Sequence, residues 1–304
     1  MAGMRLALGV SYLGTAYQGW QSQEGAPTVQ SLMEQALSAV ADAPIAMGCA
    51  GRTDAGVHAA GQVIHCDVPM ARRAAAWVHG ANHFLPPQVA VQWVREVPRE
   101  FDARRSALWR TYRYFIYNSR VRHPLAEQRA LIHYRPLDEQ AMDRALRALL
   151  GERDCRAFRG KDCQSRSTVR RILDIGVQRT GPWVMVEICA NSFLQHMVRI
   201  LVGSLLLIGE GRQPSAWLRQ VADSGRRSAA GPTASPDGLY LWQVGYPARF
   251  GLPQDPPSGW LPGPWVCDLP CDELPSEGAG GKGAIQGDMG HAPVSDVCDD
   301  GLSF

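Results

Sequence analysis

Lysine is almost absent from this sequence. Lys161 and Lys282 occur, and the other 29 of the 31 basic residues are arginine. Arginine offers a planar fork suited to phosphate and to stacking on bases. Biased genomic composition gives the same ratio, so only the positions of the arginines can argue function. No Cys-x-x-Cys pair occurs among the eight cysteines, which removes the paired-thiol redox signature and the usual zinc-finger spacing. Several cysteines sit in strand-like apolar runs such as AMGCA and VEICA, where a free thiol acts as a small hydrophobe. The first residues lack the charged-then-apolar pattern of a signal peptide, so the expected compartment is the reducing cytoplasm. No apolar run is comfortably long enough to span a bilayer. The longest, residues 193–209, carries His196 and Arg199 and is expected to be a buried helix.

What is present fits a globular protein: 304 residues, 45% hydrophobic and 20% charged. The formal net charge of +2 conceals an asymmetry. Residues 251–304 hold nine acidic side chains and one lysine, a net of −8, which leaves +10 on residues 1–250. A basic body with an acidic tail puts a polyanion among the expected partners. The tail also carries ten glycines and eight prolines without an apolar period, so it is expected to stay largely unstructured. Its Cys267, Cys271, His291 and Cys298 are too loosely spaced to suggest zinc.

Hydrophobic periodicity maps residues 4–12 as a strand and 28–40 as a helix capped by Thr28. Strands near 45–50 and 61–68, a helix near 71–82 and a strand at 89–97 follow. The order then repeats. A strand at 109–118 leads to a helix at 138–150, started by Asp138 and ended by Gly151, and to strands at 168–178 and 183–190. The buried helix at 193–208, a short helix near 214–222 and a strand at 239–246 complete the series. The expected fold class is α+β: two ferredoxin-like β-α-β-β-α-β halves sharing a mostly antiparallel sheet, with helices on one face. The halves are expected at 1–105 and 106–250, with the tail from 251 to 304.

The most informative stretch is GCAGRTDAGVHAAGQVIHCDV, residues 48–68. Gly51 and Gly56 bracket Arg52, Thr53, Asp54 and Ala55, so a sharp turn would present Asp54 beside a guanidinium at a strand's edge. The same residues also fit an Asx-turn, in which Asp54 bonds only its own backbone. His58 and His65 lack a third nearby ligand and are expected to pack or hydrogen-bond rather than to hold a metal.

GRTDAGVHAAGQV resembles the catalytic motif of the TruA family of tRNA pseudouridine synthases, and SYLGTAYQGWQSQ at 11–23 is similar to the segment before it. The likeness continues through NHFLP, FDAR, RTYRYFIYN, CQSRS, FLQHMVR and GLYL, over about residues 4–247. It implies the pseudouridine synthase fold. It further implies that Asp54 is the nucleophile, that Tyr112 stacks on the target uracil and helps remove its C5 proton, and that Arg199 pairs with the catalytic carboxylate. Arg52 would help extrude or hold the flipped nucleotide, and Leu239 would contact the base. The chain departs from the family pattern at Ile200, where asparagine is usual, and at Cys155, where an aromatic is common.

The resemblance implies a tRNA substrate, modification at positions thirty-eight to forty of the anticodon stem-loop, and a homodimer. An isomerisation needs neither metal nor nucleotide cofactor, and none is expected. Arg166 and Arg170, in the basic run from Arg156 to Arg171, are expected to contact phosphate, although a solvated face would have the same composition. Two other readings remain open: an RNA-binding module without catalysis, and an acidic tail that competes with RNA for the basic body.

Overall fold

The computed structural model describes residues 3–253. The expectations about the tail beyond Pro253, including its four metal-type side chains, lie outside the described residues.

The chain opens with β1 (Met4–Tyr12), α1 (Val29–Ala41), β2 (Met47–Cys49), β3 (His58–Val68), α2 (Ala74–Phe84) and β4 (Val89–Val97). It continues with β5 (Trp109–Asn118), β6 (Leu131–His133), α3 (Glu139–Arg147), β7 (Gly151–Asp154), β8 (Val169–Thr180) and β9 (Trp183–Ala190). The last elements are α4 (Met197–Gly209), α5 (Trp217–Ser224) and β10 (Leu239–Gly245). The ten strands among the described residues join one sheet in the order β4-β1-β3-β10-β5-β9-β8-β7, with β2 beside β3 and β6 beside β5. Pairing is antiparallel except at β10–β3 and β5–β6. Both halves show the same interleaved order, β4-β1-β3 with β2, and β10-β5-β9-β8. The α+β architecture with one large, mostly antiparallel sheet is therefore as expected.

Local chemistry accounts for the element ends. Thr28 caps α1 by accepting from the Ser31 amide, and Asp138 caps α3 by accepting from the Ala141 amide. Two expectations need correction. The helix after Asp138 ends at Arg147, and Gly151, at φ +93°, starts β7 instead of closing that helix. Residues 193–196 are not helical, so α4 starts at Met197. The three- and four-residue strands β6 and β7 are too short to leave a period.

Two apolar cores form. One gathers β1, β3, β4, α1 and α2, the other β5, β8, β9, α3, α4 and α5. Helix α4 is buried on nearly all sides, as its continuous apolar run predicts. Its polar Ser204 is satisfied by donating to the Ile200 carbonyl and accepting from the Gly231 amide. The cores meet at β3, β10 and β5, where Tyr112 packs against both. No helix among the described residues is long and apolar enough to cross a membrane.

Candidate active site

The loop that carries Asp54 is held at every step. Its entry is clamped by the buried Gln62, whose Nε2 donates to the Gly51 carbonyl at 2.6 Å while Oε1 accepts from the Gly51 amide at 3.3 Å. Thr53 points inward to the Tyr12 hydroxyl at 2.8 Å, and its carbonyl accepts from the Trp20 amide at 3.0 Å. The turn closes through the Val57 amide and the Asp54 carbonyl, with Gly56 at φ +79°, a conformation that glycine adopts without steric cost. Gly19, at φ +91°, passes so close that a Cβ there would lie 2.6 Å from the Thr53 carbonyl oxygen. The segment 12–20 thus forms the mould in which the loop sets. His58 completes it: Nδ1 accepts from the Gly14 amide at 2.9 Å, and Nε2 lies 3.0 Å from the Asp237 carbonyl. Nε2 must then carry the ring's proton, and burial pushes the imidazole below its ordinary pKa. His65 accepts from the Ala103 amide. Both histidines therefore have hydrogen-bonding roles.

Among the described residues, no backbone amide donates to the Asp54 carboxylate, so the Asx-turn alternative does not hold. The side chain is 29% exposed and has its Oδ2 3.4 Å from Arg199 Nη1. Arg199, on the first turn of α4, is aimed by a second bond: its Nε donates to the Ala234 carbonyl at 2.8 Å. The Ala234 amide in turn donates to the Arg199 carbonyl, so the strap at 231–234 and the helix fix each other. Ile200, where the resemblance leads one to expect asparagine, faces the core and is fully buried.

Tyr112 lies half-buried on β5, edge-on to Phe193 with ring centroids 4.8 Å apart. Its hydroxyl stands 3.6 Å from the point where a Gly51 side chain would begin, an ordinary van der Waals distance that sets the phenol against the entry of the Asp54 loop. Burial raises the phenol pKa well above its usual value; Arg110 opposes this and the Asp54 charge adds to it. Below the phenol, Arg110 is buried and held by the carbonyls of Ala50, Arg104 and Asn191.

The remaining expected residues divide. Arg52 and Arg166 are exposed. Leu239 lies in the second core, opposite Tyr114, whereas the residue opposite Tyr112 is Leu241. Arg170 is 6% exposed, and its guanidinium is engaged by the Ser167 and Val169 carbonyls and the Ser165 hydroxyl. It braces the loop that bears Arg166 instead of facing solvent. His196 was not singled out from the sequence: its Nε2 lies 3.4 Å from the same Asp54 Oδ2 that Arg199 engages. The signal available was its place three residues before Arg199 within the run expected to be helical.

A profile described as tRNA pseudouridine synthase matches residues 9–104 and 145–247. The tRNA pseudouridine synthase A of Enterobacter sp. (strain 638) is 49% identical over 257 residues, covering 84% of this chain and 95% of that protein. Its namesake from Cronobacter sakazakii (strain ATCC BAA-894) is 48% identical over 258 residues, 85% of this chain and 95% of that protein. That from Salmonella paratyphi B (strain ATCC BAA-1250 / SPB7) is 48% identical over 257 residues, covering 84% and 95%. Taken with an Asp54 loop, an Arg199 and a Tyr112 gathered at one seam of the sheet, these matches show that the chain belongs to the tRNA pseudouridine synthase family.

Proposed function

We propose that this chain isomerises uridine to pseudouridine in tRNA, with Asp54 as the group that opens the reaction. The observation that carries the reading is the meeting of Asp54, Arg199 and Tyr112, which come from three distant segments, at a partly exposed carboxylate. The reaction breaks the bond from N1 to C1′, turns the uracil and joins C1′ to C5; the proton lost from C5 balances the one gained at N1. Atoms and electrons are conserved, so neither oxidant nor water is consumed. A carboxylate placed at the sugar starts this by covalent attack or by promoting elimination. Arg199 holds that carboxylate in place. Tyr112 gives a flipped uracil an aromatic face that offsets its lost stacking. Arg52, exposed beside Asp54, is assigned to holding the extruded nucleotide, and Leu239 to the apolar wall behind the base.

The substrate is assigned as the anticodon stem-loop at positions thirty-eight to forty, bound by a homodimer in the cytoplasm, with residues 1–105 and 106–250 as its two halves. Exposed Lys161, Arg166 and Arg171 supply a phosphate track. Incubating unmodified tRNA with the protein and mapping pseudouridine tests activity and position together, and sedimentation tests the dimer. Asp54→Ala should abolish pseudouridine formation while leaving tRNA binding largely intact. A fully active variant would remove Asp54 from the mechanism.

A further inference from the structure

His196 is one of three non-glycine residues with positive φ among those described, at φ 61° and ψ 4°. Such a conformation is uncommon outside glycine and marks a place where the surroundings dictate the backbone. Helix capping does not explain it: His196 stands at the N-cap of α4, yet its side chain makes no capping bond. The ring is directed to the carboxylate instead. Nε2 reaches within 3.4 Å of Asp54 Oδ2, the oxygen that Arg199 Nη1 also approaches at 3.4 Å. Among the described residues, Oδ1 accepts no hydrogen bond. The ring's other side is accommodated by Gly160, where an added Cβ would lie 3.0 Å from His196 Nδ1 and from the Gln195 carbonyl oxygen. The Gly160 amide donates to that same carbonyl at 2.8 Å, which pins the backbone just before the turn.

We propose that His196 is a positioning residue for Asp54: together with Arg199 it engages Oδ2, so that Oδ1 is the oxygen presented to the target nucleoside. The left-handed turn is what brings a side chain at the helix start back over the loop from the other half of the sheet. An imidazole and a guanidinium from one helix end, three residues apart, then restrict the rotation of a carboxylate that projects from a loop. The proposal rests on Asp54 being the reactive group.

The test measures kcat, KM and tRNA affinity for wild type and for Asp54→Asn, His196→Gln, His196→Asn, His196→Gly and Gly160→Ala, with melting curves for each. Glutamine can place its amide nitrogen where imidazole Nε2 stands. Asparagine tolerates the left-handed backbone but is too short, and glycine adopts that backbone without penalty. His196→Asn and His196→Gly are expected to lower kcat about 10- to 100-fold, as for a slightly misplaced reactive group, with KM and affinity changed less than about two-fold. His196→Gln should recover most of the loss, and Gly160→Ala should lower kcat by crowding the ring. His196→Gly should melt no lower than wild type, so its loss of activity would not be a loss of folding. Wild-type kcat in the glycine and asparagine variants would overturn the proposal. So would a loss confined to KM and affinity, or a glutamine variant as impaired as asparagine. A wild-type chain that makes no pseudouridine, or an active Asp54→Asn, would instead overturn the reading of the site itself.

Discussion

Gln62→Leu removes a side-chain amide that organises the Asp54 loop from beneath. Gln62 is fully buried on β3, bonds both backbone groups of Gly51, and reaches the Tyr12 hydroxyl at 3.5 Å. Tyr12 in turn holds Thr53, so one amide connects the loop's entry to its anchor next to Asp54. Leucine keeps the apolar bulk and supplies no partner. The Gly51 carbonyl loses a short bond at 2.6 Å and the amide a long one at 3.3 Å. A buried polar group left unpaired costs about 1–3 kcal/mol, and Gly51 is half-buried, so the two together should cost about 2–3 kcal/mol. At roughly 2–4 °C per kcal/mol for a chain of this size, the melting temperature should fall by about 5–10 °C. Freed at its entry, the loop should misplace Asp54 and lower kcat about 10- to 100-fold, with a smaller effect on KM. Thermal melting and steady-state pseudouridine formation read both effects. Gln62→Glu sharpens the test: its ionised carboxylate keeps an acceptor for the Gly51 amide but faces the carbonyl without a donor. Acidification should restore a donor and narrow the gap to wild type. A leucine variant that melts within a degree of wild type with unchanged kcat would refute this account of how the loop is held.

Burial depresses the pKa of His58, and of His65 and His133 in the same direction. The unfolded chain then binds more protons than the native one. Stability should therefore be full above about pH 6.5 and decline as pH falls from there through the lowered native values. His58→Gln should flatten that decline in part, and an equal slope in both proteins would count against it. Arg166→Ala should weaken tRNA binding and reduce its salt dependence by about one charge. Arg170→Ala should chiefly lower the melting temperature, and the reverse pattern would contradict the burial of Arg170. Tyr112→Ala should reduce kcat/KM by about 10- to 100-fold, equivalent to about 1–3 kcal/mol of stacking; an unaffected ratio would remove the stacking role.

Much of the architecture was legible because it is written in local patterns. Strand alternation bounded β1, β4 and β5 to the residue, and the helix caps Thr28 and Asp138 work as their side chains suggest. The Asp54 loop was readable as a loop because Gly51 and Gly56 frame it. The misread features are those where tertiary contacts outweigh local preference. The apolar period at 193–208 continues straight through residues that the structure leaves outside α4, because the turn at His196 is imposed by the packing of Gly160 and Gln195. Gly151 has the left-handed backbone of a helix stop, yet pairing with Ile172 draws it into a strand.

The sequence alone determined the longer secondary elements, their βαββαβ order and the side-chain types available at Asp54, Tyr112 and Arg199, because each follows from side-chain type and short-range spacing. Only the tertiary structure decided which of these groups meet. Arg199 lies 145 positions from Asp54, and the short parallel pairing of β10 with β3 joins the two halves at the seam beside them. It also decided that Arg170 is a buried brace and that His196 shares a carboxylate oxygen with Arg199. Burial and direction depend on what the rest of the chain places against a residue, and no local pattern records that.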